Sequence, residues 1–137
     1  MPTSHTLYRP YGDGSTPAEA HGVTVVPFLV ELPSSGIVDT DDIQIMDIPA
    51  GWVVVDAAFA ADATLGADVT LTLRIGTTAI TGKSTATATT LVRMSVLPDQ
   101  ASASDRTLNF LVDDANITAG AGVRGHVILA EASSYGL

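Results

Sequence analysis

The chain has 137 residues, a formal net charge of −9 from 15 acidic and 6 basic side chains, and no cysteine. This length fits one domain that buries its own core, and without cysteine neither disulfides nor thiolate metal sites can stabilise it. The acidic balance argues against nucleic acid or an anionic membrane as a direct partner, because both need a basic surface.

Residues 1–21 show no periodic apolar pattern, and we predict that they form an extended N-terminal arm. Within the arm, the segment STPAEAHG at 15–22 indicates a short helical turn, with Thr16 as the cap, Pro17 at the first helical position and Glu19 completing a capping box. No cationic start precedes an apolar stretch, so we expect no secretory signal. The longest apolar run is about half of the roughly 20 residues that a membrane helix needs, and we therefore expect synthesis in a cytoplasm.

After the arm, stretches rich in Val, Ile, Leu and Thr alternate with Gly and Pro, which is typical of an all-β domain. Pro27 interrupts the first stretch and predicts either an edge strand or a bulge. The Pro-Ala-Gly sequence at 49–51 predicts a tight turn of type I. We predict strands over the segments 22–32, 42–48, 52–61, 68–75, 91–97, 106–113 and 123–131.

Three of these strands show apolar side chains at alternate positions, which indicates a buried face and a solvated face. The residues predicted to point inward are Val69, Leu71, Leu73 and Ile75 in the first, Leu108, Phe110 and Val112 in the second, and Val123, Val127 and Leu129 in the third. Short strands at intervals of roughly ten residues are typical of a sandwich. We therefore predict one β-sandwich or jelly-roll-like domain over 22–132, followed by a C-terminal tail at 133–137.

The strand predicted at 52–61 differs because both of its faces are apolar. Under strict alternation, one face holds Val53, Val55, Ala57, Phe59 and Ala61, and the other holds Trp52, Val54, Ala58 and Ala60. The second face is covered either by loops or the arm of the same chain or by a neighbouring subunit, because a monomer rarely exposes a contiguous apolar patch. For the second alternative, we predict that Trp52, Val54 and Ala58 make the subunit contact.

Motifs for cofactors and metals occur without the context that their chemistry requires. GAGVRG at 120–125 matches the glycine pattern of a dinucleotide-binding turn, but a predicted strand follows where the pyrophosphate needs a helix N-terminus. GTTAITGKS at 76–84 has five residues between its glycines, where a phosphate-binding loop has four. Asp39, Asp41 and Asp42 form an oxygen-rich segment of the kind that binds calcium, but the spacing of an EF-hand is absent.

Catalytic motifs are also missing from the sequence. His5, His21 and His126 are scattered without the spacing of metal ligands, and there is no G-x-S-x-G nucleophile turn. Two carboxylates could still meet in the fold as a glycosidase pair, but the few aromatic residues argue against a sugar-cleaving site. We predict no enzymatic activity, no cofactor and no metal.

Two segments carry a resemblance to a known family: TDDIQIMDIPAG before the apolar strand, and ITAGAG before the final strand. They resemble the corresponding segments of small virion proteins of tailed phages, in particular head decoration or capsid-stabilising (cement) proteins. The matching positions are Asp42, Ile43, Ile48, Pro49 and Gly51, and later Thr118, Ala119 and Gly120. The likeness extends over roughly 22–132 and rests on turn and strand patterning.

The resemblance implies a non-catalytic all-β subunit that binds the major capsid protein at the exterior of a virion capsid and stabilises the head lattice. It also implies a homo-oligomer, with a trimer favoured, and no nucleic-acid or membrane partner. For anchoring on the capsid, we predict the arm residues Tyr8, Arg9 and Tyr11. The alternative is a carbohydrate- or ligand-binding β-sandwich module of a phage head or tail fibre, for which Trp52 or Tyr135 would provide an aromatic platform.

Overall fold

A computed structural model describes residues 4–6, 22–85, 90–97 and 101–132, with side chains from residue 22 onward. Within these ranges the chain forms strands and turns. The strands are β1 (Ser4–Thr6), β2 (Val23–Leu32), β3 (Asp42–Ile48), β4 (Trp52–Ala61), β5 (Thr70–Ile75), β6 (Thr78–Ala79), β7 (Ser84–Thr85), β8 (Val92–Arg93), β9 (Arg106–Asp113) and β10 (Ala121–Glu131). The all-β prediction is confirmed.

Two sheets form the domain. Sheet A has the order β1-β3-β9-β5-β6, with β7 also paired to β5, and sheet B has the order β2-β10-β4-β8. From β2 to β10, successive strands alternate between the sheets, except that β5, β6 and β7 all belong to sheet A. This alternation is the arrangement of a jelly roll, which confirms the predicted sandwich architecture.

The core lies between the two sheets, and its centre is aromatic. Phe110 of β9 in sheet A contacts Phe59 of β4 and Phe28 of β2 in sheet B, with ring centroids 4.7 and 6.0 Å apart. All the inward-facing residues that alternation predicted in the strands β5, β9 and β10 are buried. Alternation is a reliable guide in these strands because each has an apolar core face of period two.

A β-bulge in β4 explains why both faces of that strand look apolar in the sequence. In the pairing with β10, Ile128 lies opposite Asp56 but the next residue, Leu129, lies opposite Val54, so Val55 is an extra residue. The bulge shifts the alternation by one. As a result, the core-facing side chains come from both predicted faces: Trp52, Val54, Ala57, Phe59 and Ala61. The predicted division of β4 into two faces is therefore wrong.

β3 contains a second bulge. Its pairing with β9 shifts between Gln44 and Met46, and both Ile45 and Met46 are buried. The sequence DIQIMDI already carries this phase change, because its apolar residues follow a period of two up to Ile45 and resume it at Met46.

Two local predictions of backbone geometry can be compared with the structure. Pro27 lies in β2, which is an edge strand of sheet B, as predicted. The turn after β3 is closed by a hydrogen bond from the amide of Trp52 to the carbonyl of Pro49, 3.1 Å long. Gly51 has φ +84° at the third position of this turn, which defines type II rather than the predicted type I.

Three regions differ from the prediction or lie outside the described residues. The predicted strand at 91–97 is reduced to the two residues of β8. Residues 4–6 of the predicted arm form β1, which pairs in parallel with β3 at the edge of sheet A. The helical turn predicted at 15–22 lies outside the described residues except for Gly22, and the tail at 133–137 lies wholly outside them.

Candidate assembly surface

The three core-strand residues predicted to contact a neighbouring subunit are buried in the single chain. Trp52 is 6% exposed, Val54 is 0% exposed and Ala58 is 1% exposed. Trp52 and Val54 belong to the central core, because the bulge at Val55 turns them towards sheet A. The prediction that these side chains form the subunit contact is therefore corrected: they have no surface left to offer.

Residues of the same chain also cover part of the outer face of β4. Val53 forms a small apolar cluster with Ala130 and Ala132, and the half-buried Val55 and Ala101 pack against it. The sequence left open whether the same chain or a neighbouring subunit covers the second face of this strand. The structure shows that residues of the same chain cover part of it. The remaining arm residues of the prediction, Tyr8, Arg9 and Tyr11, lie outside the described residues, and their role stays a prediction.

Exposed apolar surface occurs instead on the outer face of β2. Val23, Val25 and Leu29 are 42%, 58% and 36% exposed. They alternate with Phe28, Val30 and Leu32, which are buried in the core, so β2 is apolar on both faces. This signal was present in the sequence VTVVPFLVEL, but sequence reasoning followed the same signal in β4 and missed it here.

The neighbouring strand extends this apolar face. Ile128 of β10 lies directly opposite Val25, and Ala130 lies opposite Val23. We call the side chains of Val23, Val25, Leu29 and Ile128 the β2 patch. At one end of the patch, Arg124 of β10 forms an ion pair with Asp62, 3.1 Å between Nε and Oδ1, so this pair adds no net charge.

Pro27 influences how another protein can approach this surface. It lies opposite His126 in the middle of β2, on the outer edge of sheet B. Proline has no backbone N–H, and at a sheet edge it interrupts the row of donors that an added strand would use. We therefore expect contact through the face of β2 rather than strand addition along its edge.

A second exposed apolar site is the segment that carries β8. Leu91 and Leu97, at the two ends of the predicted strand 91–97, are 54% and 87% exposed, whereas Val92 and Met94 pack against the core. The amide of Met94 donates to the carbonyl of Ala57, and the amide of Ser95 donates to that of Ile80, 2.8 and 2.9 Å long. These bonds hold the middle of the segment and leave its ends exposed.

Charged side chains concentrate at the end of β9. Lys83, the chain's one lysine, lies with its Nζ 2.8 Å from Oδ2 of Asp113 and 3.3 Å from Oδ1 of Asp114. The hydrogen bond from Lys83, followed by that from the Asp114 backbone amide, lowers the pKa of Asp113. Hydrogen bonds to Asp113 and Asp114 raise the pKa of Lys83. The cluster is exposed, so solvent screens it, and we assign it a local structural role.

Neither a metal centre nor a membrane helix is found in the part of the chain that the structure describes. No group of three or more His, Asp or Glu residues there has a metal-binding arrangement, and Asp41 is used instead to accept a hydrogen bond from the Val38 amide. No helix in the described ranges is long and apolar enough to cross a membrane.

The fold is similar to that of chains in two capsid structures. A chain in the structure of the capsid of Ralstonia phage GP4 is 18% identical, with a TM-score of 0.57 over 80% of this chain and 84% of that one. A chain in the cyanophage Pam1 capsid asymmetric unit is 21% identical, with a TM-score of 0.60 over 88% of this chain and 94% of that one. No family model and no curated protein matches the chain. At these identities the likeness shows a shared jelly-roll-like fold.

Proposed function

We propose that this protein is a structural virion protein of a tailed bacteriophage, a capsid decoration or cement protein. In this role it is made in the host cytoplasm, binds the major capsid protein on the exterior of the head and stabilises the lattice. The observation that carries the proposal is the shared fold with chains of two phage capsids. The alignments cover most of both partners, so the likeness extends over most of the domain and not over a single sheet.

The feature that the described residues offer for this role is a binding surface. The β2 patch combines exposed Val and Leu side chains on a folded core, and exposed contiguous apolar surface marks interaction sites. Stabilisation of a lattice needs only such binding energy, repeated in every copy. A standard interface buries about 800 Å² per partner.

We assign the β2 patch to contact with a second copy of this chain, in a homo-oligomer for which a trimer is favoured. The four side chains of the patch are apolar and uncharged, so contact between two copies would remove apolar surface from water. The ion pair of Arg124 with Asp62 at one end of the patch is neutral as a whole, whereas Glu31 beside Leu29 and Asp56 opposite Ile128 place negative charge at its margin. Anchoring to the major capsid protein is assigned to Tyr8, Arg9 and Tyr11 of the arm.

The oligomer assignment is tested with Val25→Asp, which places a charge in the β2 patch. Light scattering after size-exclusion chromatography is expected to show an oligomer for the wild type and a folded monomer for this variant. Val38→Asp is the matched control, because Val38 is similarly exposed, at 47%, but lies in the loop before β3. A monomeric wild type, or dissociation by both variants alike, would contradict the assignment.

Capsid binding is tested by adding the purified protein to heads of its phage from which it has been removed. The wild type is expected to cosediment with the heads. The triple variant Tyr8→Ala, Arg9→Ala, Tyr11→Ala is expected to bind them at least about tenfold more weakly, which corresponds to a loss of about 1.4 kcal/mol of binding free energy. The oligomeric state of this variant is the control, because the arm assignment predicts that it stays unchanged.

The alternative, a carbohydrate-binding module, is disfavoured by the position of the aromatic residues. Its platform would need an exposed ring, but Trp52 and all three phenylalanines of the chain are buried in the core. Tyr135, the other predicted platform residue, lies outside the described residues. A glycan array on which the protein binds and loses binding with Tyr135→Ala would favour this alternative over the decoration role.

A further inference from the structure

The N-terminal arm and the C-terminal tail join the sandwich at the same place. The amide of Glu131, at the end of β10, donates to the carbonyl of Gly22, just before β2, over 2.8 Å. The amide of Ala132 donates to the carbonyl of Gly51, in the turn between β3 and β4, over 2.9 Å. We call this end of the sandwich, where β2, β4 and β9 begin and β3, β5 and β10 end, the terminal end.

The first strand is also directed at the terminal end. β1 pairs in parallel with β3, Ser4 with Asp42 and Thr6 with Gln44, so β1 runs towards the end of β3. Residues 7–21 therefore connect a strand that runs towards the terminal end to a strand, β2, that begins there. This connection contains the three arm residues assigned to capsid anchoring. Chain connectivity thus associates that assignment with the terminal end.

Exposed apolar side chains lie in a segment that leads to the same end. β8 is antiparallel to β4, so the chain beyond β8 runs towards the start of β4. Val96 and Leu97 follow in that direction, and their side chains are 46% and 87% exposed. Further along the same connection, the carbonyl of Ser102 accepts a hydrogen bond from the amide of Gly51, 3.0 Å long. A partner at the terminal end could therefore remove these two side chains from water.

The opposite end of the sandwich, which we call the acidic end, carries more negative charge. The loops 33–41, 62–69 and 114–120 meet there. The acidic residues of these loops and of the adjoining strand ends are Asp39, Asp41, Asp42, Asp62, Asp68, Asp113 and Asp114, and Lys83 and Arg124 form ion pairs with some of them. The acidic residues described at the terminal end are Asp47, Asp105 and Glu131, with Arg106 next to Asp105, while Asp99 lies outside the described residues. Carboxylates are costly to remove from water without matched cations, so contact through the terminal end costs less.

We propose that the terminal end docks on the capsid, against an uncharged, apolar site of the major capsid protein, and that the acidic end faces away from the head. The inference rests on the proposed decoration role and adds an orientation to it. The strands then run away from the lattice, and the arm and Leu97 contact the same partner. The β2 patch lies on the face of sheet B, so docking through one end leaves the patch available to a neighbouring copy.

The absence of cysteine allows this orientation to be measured by chemical labelling. One cysteine is placed at either end of the sandwich: Ala50→Cys in the turn at the terminal end, or Ser35→Cys in the loop before β3 at the acidic end, both at exposed positions. Each variant is bound to phage heads from which the protein has been removed. Its reaction with a maleimide-polyethylene glycol reagent is compared with that of the same variant free in solution. We expect head binding to abolish the labelling of Ala50→Cys and to leave that of Ser35→Cys unchanged.

A pair of charge substitutions tests the same surface without a label. Leu97→Asp is expected to weaken head binding at least about tenfold. Val38→Asp is the matched control, because Val38 is exposed at the acidic end, and this variant should bind heads as the wild type does. Both variants should remain folded with an unchanged oligomeric state, because both substitutions are at exposed positions. This pair decides the proposal if Ala50→Cys does not fold.

Three results would overturn the orientation while head binding itself stands. They are protection of Ser35→Cys on the head, equal labelling of both cysteine variants there, and equal head affinity of Leu97→Asp and Val38→Asp. A wild type that does not bind heads would overturn the proposed function, and this inference with it. The failure of the orientation and the failure of the proposed function are therefore distinguishable.

Discussion

Phe59 and Phe110 meet edge to face across the two sheets, with ring centroids 4.7 Å apart and an interplanar angle of 71°. This geometry is favoured because the positive edge of one ring faces the negative face of the other, and such a pair contributes about 0.5–1.5 kcal/mol beyond the burial of its area. Gly125 lies opposite both Phe59 and Phe28 in the register of sheet B. The aromatic centre of the core therefore depends on a glycine in the strand between two of its rings.

Gly125→Ala is expected to destabilise the fold by about 1–3 kcal/mol, because overpacking forces side chains and backbone to shift. A Cβ at this position would lie 2.5 Å from Cζ of Phe28 and would also overlap the carbonyl oxygen of Ala58. Urea denaturation followed by circular dichroism measures the change. Gly82→Ala is the matched control, since its Cβ would meet open space, and an equal loss in both variants would contradict the packing argument.

Deletion of Val55 tests the bulge in β4. Without this extra residue strict alternation returns, so either the Trp52 end or the Phe59 end of the strand must turn its apolar side chains out of the core. We expect loss of cooperative unfolding and of dispersed NMR signals. Val55→Ala keeps the residue count and should retain a cooperative transition, with a cost below about 2 kcal/mol. A deletion variant that folds as well as Val55→Ala would show that the bulge is dispensable.

Trp52→Asp is expected to unfold the chain rather than to release a folded monomer. The side chain is buried in the core, and an unpaired carboxylate there costs several kcal/mol or must take up a proton. Thermal denaturation of the purified variant measures the loss of stability, and Trp52→Phe is the control because it keeps the site apolar and aromatic. Trp52→Phe should remain folded, because it keeps an aromatic side chain against the core. A folded, soluble Trp52→Asp monomer would contradict this interpretation and restore Trp52 as a contact residue.

Asp113→Asn is expected to lower stability at neutral pH by a small amount that disappears in acid. Because Lys83 holds the pKa of Asp113 below its ordinary value, the pair stabilises the fold above the pKa of an unfolded Asp. This stabilisation is lost as the pH falls through the lowered pKa of the folded state. The measurement is the free energy of unfolding of wild type and variant from pH 7 down to pH 2. A difference that stays constant over this range would exclude the ionic contribution.

Strand alternation made much of the fold predictable from the sequence. It identified the buried faces of β5, β9 and β10, because each of these strands keeps period two throughout. It failed in β4, because the sequence gives no sign of a bulge when both predicted faces of a strand are apolar. The face of β5 that alternation predicts to be solvated holds Thr70 and Thr72, yet both are at least nine-tenths buried.

The candidate surfaces were less predictable because they depend on pairing between distant segments. Prediction of the β2 patch would require knowing that β2 is an edge strand and that Ile128 lies opposite Val25. The row of Gln44, Asn109 and Arg74 on sheet A likewise depends on the pairing of β3, β9 and β5, because these residues are 30 or more positions apart in the sequence. Sequence reasoning placed the excess apolar surface on β4, but the structure buries Trp52, Val54 and Ala58, and the exposed apolar side chains lie on β2.

The most direct test of the proposed role is electron cryomicroscopy of intact virions of the phage that encodes this chain. The account predicts jelly-roll density on the outside of the head, with the β2 patches of neighbouring copies facing each other around a symmetry axis. Absence of this chain from the purified particle, or copies on the head whose β2 patches all face solvent, would contradict it.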